Sequence, residues 1–222
     1  MNTTVGCLQP TYLPWISFFK RFLNCDYFVL LDDADYSKNS NHNRNNIKIN
    51  DTKVLLTVPI HYKIKLPINQ IKIDNSKNWK KKHYKSIVQA YCKSKFFIEF
   101  QDELEQIYKK EWHSLYQLNL ELINFFKIYF NIENKIYLSS KLNVLGRGNE
   151  RLVNICKYFN ANYFVVKKET ENYHPKKYFN NHGIDFKYHE NTHQKYQQLG
   201  NIFIQDLSIL DYAANNGNKL TI

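Results

Sequence analysis

Thr3-Thr4-Val5-Gly6-Cys7-Leu8-Gln9-Pro10, continued by Thr11-Tyr12-Leu13-Pro14-Trp15 and then Asp26-Tyr27-Phe28-Val29-Leu30-Leu31-Asp32-Asp33, decides the fold. Residues 3–8 are mostly apolar and read as a buried strand that stops at Gln9-Pro10, because proline cannot continue a ladder of hydrogen bonds. Pro14 suits the first turn of a helix, where its missing N–H is not needed. Trp15, Ile16, Phe18, Phe19, Phe22 and Leu23 give that helix a broad apolar face. The unbroken run Tyr27–Leu31 is the mark of a strand buried on both faces, as parallel strands are. Strand, loop, helix and strand make a βαβ unit, which crosses over in the right-handed sense.

Outward from this unit, the chain is polar and Asn-rich from Tyr36 to Asn50 and reads as a loop until Ile47. Val54–Val58 is a strand closed by Pro59, and Ile68–Ile73 alternates as a half-buried strand. Asn78–Tyr91 reads as a helix, and Glu103–Phe130 as one long amphipathic pattern. Ile136–Leu138, Asn162–Val166 and Asp185–His189 are short strands. Helices are expected from about Asn149 to Tyr158, over Pro175–His182, and over Leu207–Ala214 before the Gly217 cap. There is no linker, repeat or low-complexity tract. The expected class is a single α/β domain over residues 1–222, Rossmann-like, with a mostly parallel sheet and a helical insertion at 99–131.

The 222 residues include 43% hydrophobic and 16% aromatic types, ample for a core and far from a disordered composition. No run of 18 apolar residues suggests a membrane span, and Met1–Val5 has no basic flank before an apolar run, so a cytoplasmic protein is expected. Cys7, Cys25, Cys92 and Cys156 are widely separated and form no metal-ligand or disulfide pattern. The formal net charge is +11, but only Arg21, Arg44, Arg147 and Arg151 are arginines, and there are 28 asparagines. A Lys- and Asn-rich composition points to a solvated surface rather than a nucleic-acid groove, although it would still attract a phosphate-bearing substrate.

Several polar clusters could carry chemistry. Gln9–Trp15 lies at the carboxyl end of the first strand, before a helix, where parallel sheets bind ligands. It reads equally as a turn with Trp15 packed on the core. Asp32-Asp33 ends the second strand at the same edge and could bind Mg²⁺, accept a hydroxyl, take a proton, or simply cap a turn. Asn43-Arg44-Asn45 and Lys48 follow; an arginine in so arginine-poor a chain suits a forked contact with phosphate or carboxylate. Trp79, Lys82 and His83 lie on one helix, with His83 four residues from Trp79 on one face. His193, Tyr196 and Gln198 offer donors, acceptors and a titrating ring near the C-terminus. No P-loop, dinucleotide fingerprint, GxSxG elbow or HExxH is present. Gly146-Arg147-Gly148 resembles a scrap of a phosphate loop and reads as a bend before a helix.

In this order the clusters resemble the WbqC-like family, bacterial proteins associated with O-antigen and other surface-glycan gene clusters. The match rests on Gln9-Pro-x-Tyr12-Leu-Pro-Trp15, Asp26-x-Phe28-Val29, Leu31-Asp-Asp33 with Tyr36 and Lys38, and Asn43-Arg-Asn45-x-Ile47-Lys48. It continues through Leu56-Thr-Val-Pro59, Ile73-Asp74, Trp79 with Lys82-His83, Ser139-Ser140, His193-x-x-Tyr196-x-Gln198 and Leu207–Asp211. Two departures stand out: Asp35 where a Gln is common, and Val165-Val166 where a Ser-Gly pair is usual. The opening also resembles nucleotidylyltransferase-like α/β proteins, but Tyr12-Leu-Pro-Trp15 replaces their HxGH motif and both histidines are missing.

The resemblance implies a transferase that acylates or aminoacylates the amine of a nucleotide-linked amino sugar in surface-glycan biosynthesis. Asp33 or His83 would then deprotonate the amine, Arg44, Lys48 and Lys82 would hold phosphate or carboxylate, and Tyr12 and Trp15 would form a wall. Gln9, Asp32, Asn43, Asn45, His193, Tyr196 and Gln198 complete the expected binding set. No metal site is expected and no motif names a cofactor beyond the implied acyl or aminoacyl donor. An ATP- and Mg²⁺-using ligase or nucleotidylyltransferase, and a non-catalytic RNA-binding module, are the competing readings. Nucleic acid enters the first reading only as a tRNA delivering an aminoacyl group.

Overall fold

The computed structural model describes residues 2–61, 65–168, 173–189 and 195–220. The opening unit forms as its sequence dictates: strand β1 (Thr4–Leu8), helix α1 (Ile16–Leu23) and strand β2 (Tyr27–Leu30). Pro14 precedes the cap residue Trp15 and so lies just outside the helix. A two-stranded ribbon follows, β3 (Arg44–Ile49) and β4 (Thr52–Thr57), paired antiparallel from Arg44–Thr57 to Ile49–Thr52. The Asn-rich stretch is thus a strand from Arg44, three residues earlier than its polarity suggests. Asn45 is buried there because its side chain is satisfied, donating to the Leu13 carbonyl and accepting the Asn46 N–H at 2.8 Å.

Residues 68–73 are not one strand. Ile68, Ile71 and Ile73 are buried, and the first step of three residues makes a 3₁₀ turn at Ile68–Gln70. Only Lys72–Ile73 is strand (β6), paired with β5 (Ile60–His61). Helix α2 (Trp79–Tyr91) matches its periodicity. The long amphipathic pattern is two helices, α3 (Gln101–Lys109) and α4 (Leu115–Tyr129). The break is built in: Trp112 donates to the Ile107 carbonyl, Ser114 caps α4 through the Gln117 N–H, and Ile73 and Leu115 exchange backbone bonds with His113 and Ile71. β7 (Ile136–Leu138), α5 (Gly148–Tyr158), β8 (Tyr163–Lys167), α6 (Lys176–Asn180), β9 (Asp185–His189) and α7 (Ile209–Asn216) complete the described elements.

The central sheet has the order β7-β2-β1-β8-β9, and every pairing in it is parallel. This is a Rossmann-like α/β arrangement, whose strand order reverses direction at β1. Alternate residues feed two cores. Phe28, Leu30 and Val165 face one with Phe18, Phe19 and Phe22 of α1 and the packed helices α2 to α4. Val5, Cys7, Val29, Phe164 and Val166 face the other with Val153, Ile155 and Cys156 of α5. Among the described residues, no helix is long and apolar enough to cross a membrane.

Candidate functional site

β1 pairs with β2 along four residues, but with β8 only at Thr4–Tyr163 and Val5–Phe164. Beyond Val5 the two strands diverge, and the sheet splits open at its switch point. A cavity of about 560 Å³ fills the split, with Cys7, Leu8, Phe164 and Lys167 in its floor. A second cavity of about 770 Å³ adjoins it over the ends of β1 and β2 and the start of α5. The two share Gln9, Leu31, Leu152, Tyr173 and His174 as walls. Of the residues expected from the sequence, Gln9, Trp15, Asn45 and Asp33 line this crevice.

Gln9 is the first residue past β1. Its side-chain oxygen lies 2.9 Å from His42 Nε2, while His42 Nδ1 accepts the Ser37 N–H at 3.3 Å. His42 Nε2 is therefore the protonated nitrogen and donates to Gln9. Burial pulls the His42 pKa down to about 4, so the ring is neutral and the arrangement holds at physiological pH. The orientation leaves the Gln9 NH₂ group as the free end in the wall common to both cavities.

His174 shares that wall. Its Nδ1 lies 2.8 Å from Asn149 Oδ1, and the Asn149 amide nitrogen donates to the Tyr173 carbonyl at 3.4 Å. The amide oxygen can only accept, so Nδ1 carries the proton and Nε2 keeps its lone pair. Burial, with a smaller contribution from the Arg21 charge, lowers the His174 pKa, which keeps Nε2 unprotonated. Arg21 lines the split: Nη1 donates to the Cys7 carbonyl that β8 leaves unpaired, and Nε donates to His189 Nε2 at 3.0 Å. Burial lowers its pKa to about 10. Among the described residues no carboxylate pairs with Arg21, and the half-buried guanidinium borders a cavity whose lining also holds Lys53, Lys167 and Asp206.

Sequence reasoning missed His174, Asn149 and Arg21. The scarcity of arginine that drew attention to Arg44 applies equally to Arg21 and Arg151. Nothing local marks His174, which reaches the crevice only because β8 and α5 lie beside β1.

The carboxylate pair divides its work. Asp32 is buried and well satisfied: Oδ1 accepts from the Ser140 N–H (3.0 Å), Oδ2 from Ser140 Oγ (2.6 Å) and Asn69 (3.3 Å). Asp33 lines the larger cavity and is held by Arg151 and the Ser139 hydroxyl. Burial raises its pKa, but those two partners together outweigh burial and leave the carboxyl below its usual value. A carboxylate so held is an anchor for Arg151 and a poor proton acceptor.

The other expected residues do not converge on the crevice. Tyr12 and His83 are core residues: the Tyr12 hydroxyl bonds His83 Nδ1 at 2.8 Å and the Tyr108 hydroxyl, and Trp79 packs edge-on against the His83 ring. Burial lowers the His83 pKa to about 4 against a backbone hydrogen bond at Thr57. Lys82, one residue away, is exposed. Asn43 is buried between the Tyr36 hydroxyl and the Val58 carbonyl. Arg44 is half-buried and is absent from the crevice lining. Lys48, Tyr196 and Gln198 do meet, but around buried Asp211, whose carboxyl burial pushes up to about 6. Lys48 also grips Asp51 at 2.9 Å and the Ile202 carbonyl, while Gln198 closes its own loop on Ile204. His193 lies outside the described residues.

Among the described residues no three His, Cys, Asp or Glu side chains are placed to hold a metal ion. Cys7 borders the smaller cavity, but burial raises its thiol pKa well above the ordinary range, so it is no nucleophile. The arrangement offers an oriented imidazole base, an amide donor and an unpaired guanidinium in one crevice.

Comparison with known proteins adds a lineage. The chain is 30% identical over 217 residues to the uncharacterized protein Rv1507c of Mycobacterium tuberculosis (strain ATCC 25618 / H37Rv), covering 96% of this chain and 94% of that one. No solved structure matches it significantly. The profile of the WbqC-like protein family matches residues 9–221, from the crevice residue Gln9 to the last helix and beyond. The chain belongs to the WbqC-like protein family.

Proposed function

We propose that this protein transfers an acyl or aminoacyl group to the amine of a nucleotide-linked amino sugar, in the assembly of a bacterial surface glycan. One observation carries the reading: His174, its tautomer set by Asn149, shares a crevice wall with the free amide of Gln9 and a cavity with unpaired Arg21. An ammonium cannot attack a carbonyl, so the reaction needs a base that is itself unprotonated at neutral pH. His174 Nε2 fits that role, and it replaces Asp33 and His83 as the candidate base. The Gln9 amide donates to the carbonyl oxygen as it gains negative charge, the role of an oxyanion-hole donor. Arg21 holds the nucleotide phosphates, with Lys53 and Lys167 in the same cavity supplying positive potential. Trp15 gives a flat apolar face for a sugar ring, and the Asn41 and Asn46 side chains provide amides for its hydroxyls.

The test is mass spectrometry of UDP- and dTDP-linked amino sugars incubated with the protein and a panel of acyl thioesters and charged tRNAs. The expected result is a product heavier by one acyl or aminoacyl group, absent with His174→Ala. Failure of every donor to modify any of these amines, together with no calorimetric binding of the nucleotide sugars, overturns the reading.

A further inference from the structure

The crevice is divided, and the division suits two ligands. Each cavity has the volume of a small-molecule site on its own. They meet at Gln9 and His174, the two groups with catalytic chemistry, so ligands in separate chambers would come together there. Both linings carry cations and carboxylates: Arg21, Lys53, Lys167 and Asp206 beside Trp15 in the smaller chamber, and Lys65, Arg147, Arg151, Asp33 and Asp35 in the larger one. Arg151 is neutralised by Asp33, but its Nε is buried without a hydrogen bond. Arg147 and Lys65 are exposed at the rim, and neither has an ion-pair partner among the described residues. Charge of that kind in a bounded cavity, rather than along an extended face, fits a small anion better than a nucleic acid.

We propose that the larger chamber binds the donor, an acyl thioester whose thiol leaving group carries nucleotide phosphates, while the smaller chamber holds the amine substrate. This deepens the proposed function and rests on it. In the transfer, the amine nitrogen attacks the thioester carbonyl, the C–N bond forms and the C–S bond breaks. The amine proton passes to His174 Nε2 and leaves with the thiolate sulfur. The products are an amide and a free thiol, and nothing is oxidised or reduced.

The experiment uses isothermal calorimetry on the full chain, with UDP as probe of the smaller chamber and coenzyme A as probe of the larger. Coenzyme A is expected to bind equally well to free and UDP-saturated protein. Arg147→Glu, a change at an exposed side chain, should weaken coenzyme A at least tenfold and leave UDP untouched; Arg21→Met should do the reverse. Competition between the two probes, indifference of coenzyme A to Arg147→Glu, or no coenzyme A binding overturns the proposal. Transfer from a charged tRNA without coenzyme A binding would sink this proposal while sustaining the proposed function. Independent binding of both probes without any transfer would do the opposite.

Discussion

The side-chain oxygen of Asn149 lies 2.8 Å from Nδ1 of His174. This contact joins the first turn of α5 to the segment after β8, and it decides which imidazole nitrogen keeps its lone pair. Two consequences can be measured. His174→Ala should slow acyl transfer by about 10²–10⁴-fold without changing UDP affinity, and Asn149→Leu should give a smaller loss in the same direction.

The acid limb of the pH–rate profile reports the same ring. Since burial, with the Arg21 charge, lowers the His174 pKa below 6.5, the rate should fall with acid as Nε2 takes a proton, with a midpoint below that value. A drop centred above 6.5 would assign the base elsewhere.

Arg21→Met removes the guanidinium from the split between β1 and β8. Charged hydrogen bonds of this kind contribute about 1.5–3 kcal/mol, so UDP affinity should fall roughly ten- to hundredfold. Calorimetry at two salt concentrations checks it, with the salt dependence of binding reduced in the variant.

Asp33→Asn separates an anchor from a base. Loss of the Arg151 contact at a site 20–25% exposed should cost about 1 kcal/mol in urea unfolding. The transfer rate should fall less than about tenfold; the loss of a general base would exceed that.

Stability should fall with acid between pH 7 and 4.5. His42 and His83 titrate at about 4 when folded and near 6.5 when unfolded. Near pH 5 the unfolded chain therefore binds almost two more protons at these rings, which favours unfolding as pH drops. Asp211, raised to about 6, has the opposite sign and cancels nearly one proton. The net slope from these groups is about 1 kcal/mol per pH unit. His83→Phe should flatten it, while costing about 1–3 kcal/mol because the Tyr12 hydroxyl loses its acceptor. Thermal unfolding across this pH range measures both.

Gly200 holds a φ of +85°, and a Cβ there would lie 2.2 Å from Asp51 Oδ1. Asp51 accepts the N–H groups of Asn201 and Ile202 and pairs with Lys48. Gly200→Ala should break this clamp and raise hydrogen exchange over residues 195–206 without changing exchange in β1 or β2.

The opening βαβ unit was readable residue by residue because its information is local. A run of apolar residues between prolines and aspartates can bury both faces of a strand, and an eight-residue aromatic helix has one face to hide. The carboxyl edge of the sheet followed from that unit, and with it Gln9, Trp15 and Asp33 as crevice residues. Local polarity misled where a side chain could satisfy itself inside: Asn45 bonds the Leu13 backbone and lets a polar stretch become a strand, and His83 bonds Tyr12 and becomes core. The break between α3 and α4 escaped periodicity because its cause, pairing of residues 113–115 with 71–73, lies some forty residues away.

The parallel sheet and the position of its carboxyl edge are therefore properties of short apolar runs, which any neighbour could have buried. The proposed base, its orienting amide and the guanidinium proposed to bind an anion are not. His174, Asn149 and Arg21 stand on three elements that meet because β8 pairs with β1 for two residues and then parts from it. Only that early divergence uncovers the Cys7 carbonyl, admits Arg21 and opens the hollow. Pairing length between distant strands depends on packing across the whole sheet, and no local pattern of residues encodes it.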